Sequence, residues 1–223
     1  MMQEHLIIVA GHATFKAEVE ACPSDPTLDK YWALQSFQVG EPSYYIEHIS
    51  ASVEQLKKDP LALLMFTGGV TREGAGDWSE AATYQAVAEH YKYWGLTPER
   101  LADDIALEEY SRDSLQNVEY CLRRFHQLRG RYPTHVTVVG WGFKADRFDL
   151  HRQTLGIPRE KFTYIGVNQP ADLDDAMRGE ARTLEQFRLD PMGVKPPLAD
   201  KREERNPRNQ KSPYSSEPIM LEA

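Results

Sequence analysis

Short apolar runs recur along the chain at Leu6–Ala10, Leu61–Phe66, Ile105–Glu108, Val136–Val139 and Phe162–Val167, with helical segments between them. Such an alternation admits few solutions. A strand joined to the next by a helix pairs with it in parallel, and each crossover runs right-handed over one face of the sheet. The runs are apolar almost throughout, as strands covered on both faces must be. The chain is therefore expected to be α/β, with a doubly wound, mainly parallel five-stranded Rossmann-like sheet and helices on both faces.

The intervening segments carry helical spacing. Tyr44 to Lys58 places Ile46, Ile49, Val53 and Leu56 on one face, and Ser114 to Leu128 does the same with Leu115, Val118, Leu122 and Phe125. Trp78 to Trp94 ends at Gly95, Lys144 to Leu155 ends at Gly156, and a helix from about Asp172 to Phe187 closes the fold. Two stretches depart from the pattern. Residues 13–43 make a connection long enough to be a cap or a functional insertion in the domain 1–189. Residues 190–223 hold six prolines and the cluster KREER, and are expected to be a disordered tail.

Composition narrows the function classes. A net charge of −8 and a pI near 5.4 argue against a nucleic-acid binder, which needs a basic face. They leave room for a small anion held by a few cations. The N-terminal MMQEHLIIVAGHA has a single short apolar run and no cationic lead, so neither a signal peptide nor a membrane span is expected and the chain reads as cytoplasmic. Cys22 and Cys121 stand apart without metal-ligand spacing and read as free thiols.

In open α/β sheets ligands bind beyond the carboxyl ends of the strands. Here those ends read Gly11-His12, Thr67-Gly68-Gly69, Glu108 with Ser111, Gly140-Trp141-Gly142, and Asn168. Gly68 and Gly69 have two readings: a tight turn, or a place where a ligand approaches main-chain N–H groups. Glu80 also has two. Asp77-Trp78-Ser79-Glu80 matches a capping box that would use its carboxylate, and the same carboxylate could instead hold a ligand hydroxyl or amine. Asp113, Ser114 and Asn117 crowd the third strand end, where Glu108 is a candidate general base and Ser111 a candidate catalytic hydroxyl. Ser111 or Asp113 caps the following helix on any reading. His12 is either a hydrogen-bonded structural group or a site residue.

Lys144 and Arg147 lie one turn apart at a helix start, where the dipole disfavours cations unless an anion or carboxylate offsets them. Trp141, with Phe143 and Tyr110, would supply an apolar slot for a base. The segment GWGFKADRF imitates a dinucleotide fingerprint. It follows the wrong strand and lacks the acidic ribose partner, so no nicotinamide cofactor is assigned. Glu80, Glu108 and Asp113 are too dispersed to assign a metal.

The ordered set Thr67-Gly68-Gly69, Glu80-Ala81, Glu108, Ser111, Asp113, Ser114, Asn117 and Arg147 resembles the domain of unknown function 218 family, which includes the bacterial SanA, YdcF and ElyC proteins. The family pattern is SGG, an EA pair, ExxSxNTxEN and HxxRA, and the likeness covers roughly residues 6–168. Gln116 stands where the family commonly has glutamate, and Lys144 where it commonly has histidine. The resemblance implies a Rossmann-like fold with a polar cleft at the strand ends. It carries no settled activity, and the membrane segment of envelope members has no counterpart here.

Read together, the residues point to an enzyme, a hydrolase or transferase, acting on a small anionic, nucleotide-like or phosphate-bearing molecule. The alternative is a non-catalytic module binding a nucleotide or S-adenosylmethionine. A third reading makes the tail a peptide ligand for a protein partner.

Overall fold

The odd and even residues of the central strands go to opposite cores. The computed structural model describes residues 3–16, 25–219 and 221. Its main sheet comprises β1 (His5–Ala10), β4 (Ala62–Thr67), β5 (Ile105–Glu108), β6 (His135–Gly140) and β7 (Phe162–Gly166), in the order β5-β4-β1-β6-β7. Every neighbouring pair is parallel. Ile7, Val9, Leu64 and Phe66 pack on one side beneath α1 (Pro42–Lys58) and α2 (Glu80–His90). Leu6, Ile8, Leu63 and Met65 pack on the other beneath α4 (Ser114–Arg129) and α5 (Ala145–Thr154). This is the doubly wound α/β arrangement, and it follows from apolar side chains that alternate faces on strands covered twice.

The topology has one switch point. From β1 the chain moves outward through α1, β4, α2, the short α3 (Pro98–Asp103) and β5, then returns over α4 to β6 on the far side of β1. The connections leaving β1 and β6 therefore diverge to opposite faces, and a crevice opens between their carboxyl ends. Register aligns those ends on one rim: Ala10 beside Thr67, Thr67 beside Glu108, and Gly140 beside Gly166. Past the last pair the turn after β6 crosses so close to β7 that a Cβ on Gly166 would lie 2.6 Å from the Gly142 Cα.

Two elements differ from expectation. The second long helix stops at His90 rather than at Trp94; Lys92, Tyr93 and Trp94 turn left-handed, with φ of 50°, 46° and 48°, before Gly95. The ring of Tyr91 stacks on Trp94 with centroids 5.1 Å apart and Tyr93 is buried, so aromatic packing fixes the turn where helical spacing predicted continuation.

Residues 190–219, expected to be disordered, instead lie against the domain. After α6 (Leu173–Leu189) the chain forms α7 (Leu198–Glu204), and Leu198 joins Leu115 and Phe187 in a small buried cluster. The prolines flank this helix rather than preventing it, and its arginines find acidic and carbonyl partners across the domain.

The described parts of the insertion, residues 13–16 and 25–43, form a cap. β2 (Thr14–Phe15) pairs antiparallel with β3 (Trp32–Ala33), and Phe15 and Trp32 pack on Tyr45 and Tyr84. Cys22 lies outside the described residues, whereas Cys121 is a free, buried thiol on α4. Among the described residues no helix is long and apolar enough to cross a membrane.

Candidate functional site

A cleft of about 560 Å³ opens at the switch point. Gly11 and His12 from the end of β1, Trp141 and Lys144 from the turn after β6, and Arg147 from α5 line it. Ser111, Asp113, Ser114 and Asn117 enter from the loop before α4 and its first turn, Glu80 from the start of α2, and Gln35 with residues 37–41 from the cap. Of the fourteen residues singled out in the sequence, Thr67, Gly68, Gly69 and Glu108 do not face this space.

The glycines act on Glu80 rather than on a ligand. Ser79 is the N-cap of α2, its hydroxyl accepting from the Ala82 N–H at 2.9 Å, which puts Glu80 at the first helical position. The capping box is therefore not formed. The Glu80 carboxyl turns inward to accept from the Thr71 hydroxyl. A Cβ on Gly11 would lie 2.6 Å from Glu80 Oε2, and one on Gly68, where φ is 141°, would lie 2.8 Å from it.

The two glycines thus leave the room that lets this carboxylate reach the cleft. Burial raises its pKa, against the Thr71 hydrogen bond and the charges of Arg205, Arg72 and Lys144. The main-chain N–H groups expected to cradle an anion are already bonded: Gly68 donates to Glu108 O at 3.1 Å, and Gly69 to Ser111 O at 2.8 Å.

Glu108 is sealed behind the wall. It is 0% exposed, and its Oε2 accepts from the Thr67 hydroxyl at 2.6 Å and the Ser111 N–H at 3.3 Å. Its Oε1 accepts from the Tyr110 N–H at 2.7 Å and the Tyr214 hydroxyl at 3.3 Å. Burial pushes its pKa up while these donors pull it down. A carboxylate with this many internal partners orders the loop that follows β5 and presents no free lone pair to a substrate, so the general-base role expected for it falls away. Tyr110 leaves the proposed slot as well, its ring packing edge-on against Tyr214. Tyr44 takes its place, 5.3 Å from the Trp141 ring, and Phe143 lies 5.9 Å from the same ring.

The opposite end of the cleft is unsatisfied. The Lys144 amino group makes no hydrogen bond or ion pair among the described residues, and its nearest specific partner is the Phe143 ring at 5.5 Å. Burial, then the neighbouring Arg147 charge, lower its pKa from 10.5 to about 7, against Glu180 and Glu41. Arg147 pairs with Glu180 on α6 at 2.8 Å, yet its Nε has no partner.

His12 Nε2 is likewise buried and unpartnered. Burial holds this ring well below the ordinary histidine range, and Lys144, His48 and Arg147 act in the same direction, so it is neutral. Beside it His48 binds Asn168 Oδ1 at 2.7 Å, and burial lowers its pKa to about 4. Asp113 is engaged as the cap of α4 and as the partner of Arg202, whereas Ser114 keeps its hydroxyl 2.8 Å from His151 Nε2.

The sequence reading missed Arg72, Arg112, Arg182 and Arg205, all of which line the cleft. Arg112 and Arg205 bond to main-chain carbonyls and not to carboxylates. The acidic lining is mostly neutralised: Glu180 by Arg147, Asp113 by Arg202, and Asp175 by Arg178. Asp172 caps α6, and Glu41, whose pKa burial raises, accepts from the Tyr45 hydroxyl. The lining thus brings six cations, Arg72, Arg112, Lys144, Arg147, Arg182 and Arg205, beside six carboxylates, and because Asp113 and Asp175 pair with arginines outside it, the cations facing the hollow outnumber the carboxylates left to offset them. Among the described residues no three His, Cys, Asp or Glu side chains stand together as a metal set.

The chain is similar to uncharacterized protein YOR238W of Saccharomyces cerevisiae, with 26% identity over 262 aligned positions, covering 94% of this chain and 86% of that protein. No family model matches the sequence. No solved structure matches it either.

Proposed function

We propose that this chain binds a small phosphate-bearing, nucleotide-like anion in the cleft between β1 and β6 and acts on it as a hydrolase or transferase. The observation that carries the reading is Lys144: a half-buried side chain lining the cleft, whose amino group has no hydrogen-bond or ion-pair partner among the described residues, next to a second cation. A charge in that position is costly unless a ligand offsets it. Tyr44 and Phe143, tilted at 59° and 46° to the buried Trp141 ring behind them, form the apolar wall that a base would use. The order of residues resembling the domain of unknown function 218 family points to the same rim.

With Glu108 sealed, Glu80 is the carboxyl placed to exchange a proton with a bound substrate. Its raised pKa suits a general acid–base group, and the Thr71 hydroxyl orients it. A phosphate-bearing ligand fits the positive excess better than the sulfonium of S-adenosylmethionine, whose added charge the cleft would repel. The test is a thermal-shift screen of nucleotides and sugar phosphates, followed by product analysis on the strongest ligand. Glu80→Gln should retain that ligand and lose turnover by about two orders of magnitude, as loss of a general acid–base group does. Ligand-induced stabilisation with no product in the unmodified protein would instead leave a binding module. No stabilisation by any anion would remove the reading altogether.

A further inference from the structure

We infer that residues 198–214 form a strap that completes the binding site, delivering Arg205 to the cleft so that it and Arg72 hold a second anionic group of a ligand whose first lies against Lys144 and Arg147. The inference rests on the function proposed above, and names its substrate class: a molecule carrying two linked phosphoryl groups.

The strap is anchored on both sides of Arg205. Before it, Leu198 is buried and Arg202 pairs with Asp113, the cap of α4. At it, the Arg205 guanidinium donates to Arg112 O at 2.9 Å. After it, Arg112 donates to Gln210 O, and Arg208 pairs with Asp77 in the loop preceding α2. The Tyr214 ring then settles between Tyr110 and Tyr120, at 5.9 and 5.0 Å, and its hydroxyl closes the Glu108 network. Among the described residues these contacts leave the remaining Arg205 donors without a carboxylate in ion-pair distance while holding the group at the cleft wall.

Bringing Arg205 toward Arg72 is electrostatically unfavourable in itself. Burial and then the Arg205 charge lower the Arg72 pKa, against the Glu80 carboxyl, which both guanidiniums share as a neighbour. An exposed arginine would relieve such repulsion by swinging into solvent, since its stem is flexible. The anchored backbone limits that escape, and the arrangement is stabilised when an anion sits between the guanidiniums, which bind phosphoryl oxygens in a fork.

The experiment is isothermal titration of the full chain with inorganic pyrophosphate and with inorganic phosphate, comparing the unmodified protein with Arg205→Gln and Arg205→Lys. Arg205→Gln should weaken pyrophosphate binding by about tenfold or more, equivalent to about 1.4 kcal/mol. Inorganic phosphate, held by Lys144 and Arg147, should weaken by less than about threefold, and Arg205→Lys should recover part of the pyrophosphate loss because the charge remains. The unfolding midpoint without ligand should stay unchanged. Equal pyrophosphate affinity in Arg205→Gln overturns the strap's role while leaving the proposed function intact. Tighter binding in that variant shows that the strap obstructs the cleft, and parallel losses for both anions with a lowered midpoint show a structural role; either overturns the inference. Failure of the unmodified protein to bind either anion removes the proposed function and this inference with it.

Discussion

Two stretches of the same rim, one strand apart, use polar residues in opposite ways. At the ends of β4 and β5, Thr67, Glu108 and Ser111 bond to one another and to nearby N–H groups until no acceptor is left over. At the ends of β1 and β6, Lys144, His12 Nε2 and Arg147 Nε find no comparable partner among the described residues. The first region is buried and the second half-buried, and both are polar and rich in titratable groups. Only the second has capacity left for a ligand. A polar strand end thus marks a binding site when its hydrogen-bonding capacity is unspent, and polarity alone does not distinguish the two.

Substitutions should separate them by sign. Glu108→Ala leaves the Thr67, Tyr110, Ser111 and Tyr214 donors without their acceptor in the interior. It should cost about 3 kcal/mol of stability in urea unfolding, with anion affinity little altered in the folded fraction. A cost close to zero would show that the network contributes nothing and erase the contrast. Lys144→Met should do the reverse. Anion affinity should fall by about ten- to a hundredfold, the loss of one charge-assisted contact, while stability holds or rises because a partly desolvated, unpaired charge is gone. Loss of stability without loss of affinity would place Lys144 on the structural side.

A pH series sharpens the comparison further. Lys144 binds its proton more weakly folded, at about 7, than unfolded, at 10.5. Between those values the unfolded chain holds more protons, so this group's contribution makes stability rise with pH across that window. Anion affinity should fall as pH rises through about 7, because the cation is lost there. Lys144→Met should flatten both slopes in stability and binding measurements, and unchanged slopes would assign them to other groups. The smallest effect is expected at Ser79→Ala, which removes the N-cap of α2 and should cost about 1 kcal/mol by thermal unfolding while leaving Glu80 in place.

The fold was legible in the sequence because it rests on local and repetitive signals. All five strands of the main sheet lie within a residue or so of the apolar runs, and Gly156 follows the helix after β6 left-handed, at the position where the sequence ends that helix. The site was legible in part. Gly11, His12, Glu80, Lys144 and Arg147 come together because strand order alone gathers strand ends. What could not be read was how completely each group is satisfied. Glu108 and Lys144 look equally exceptional in one dimension, and only the packed chain shows one bonded on every side and the other on none. Arg205 was hidden for a different reason. Its segment has the composition of a disordered tail, and its ordering depends on Asp113, Asp77 and Glu108, each far away in the chain.

The near-contact of Gly142 with Gly166 ties the cleft to the outermost strand of the sheet. A side chain at Gly166 would have to push the turn that carries Lys144, so the edge of the molecule offers a lever on the ligand without touching it. Selection or laboratory evolution could tune affinity from this periphery, through residues that no inspection of the cleft lining would nominate.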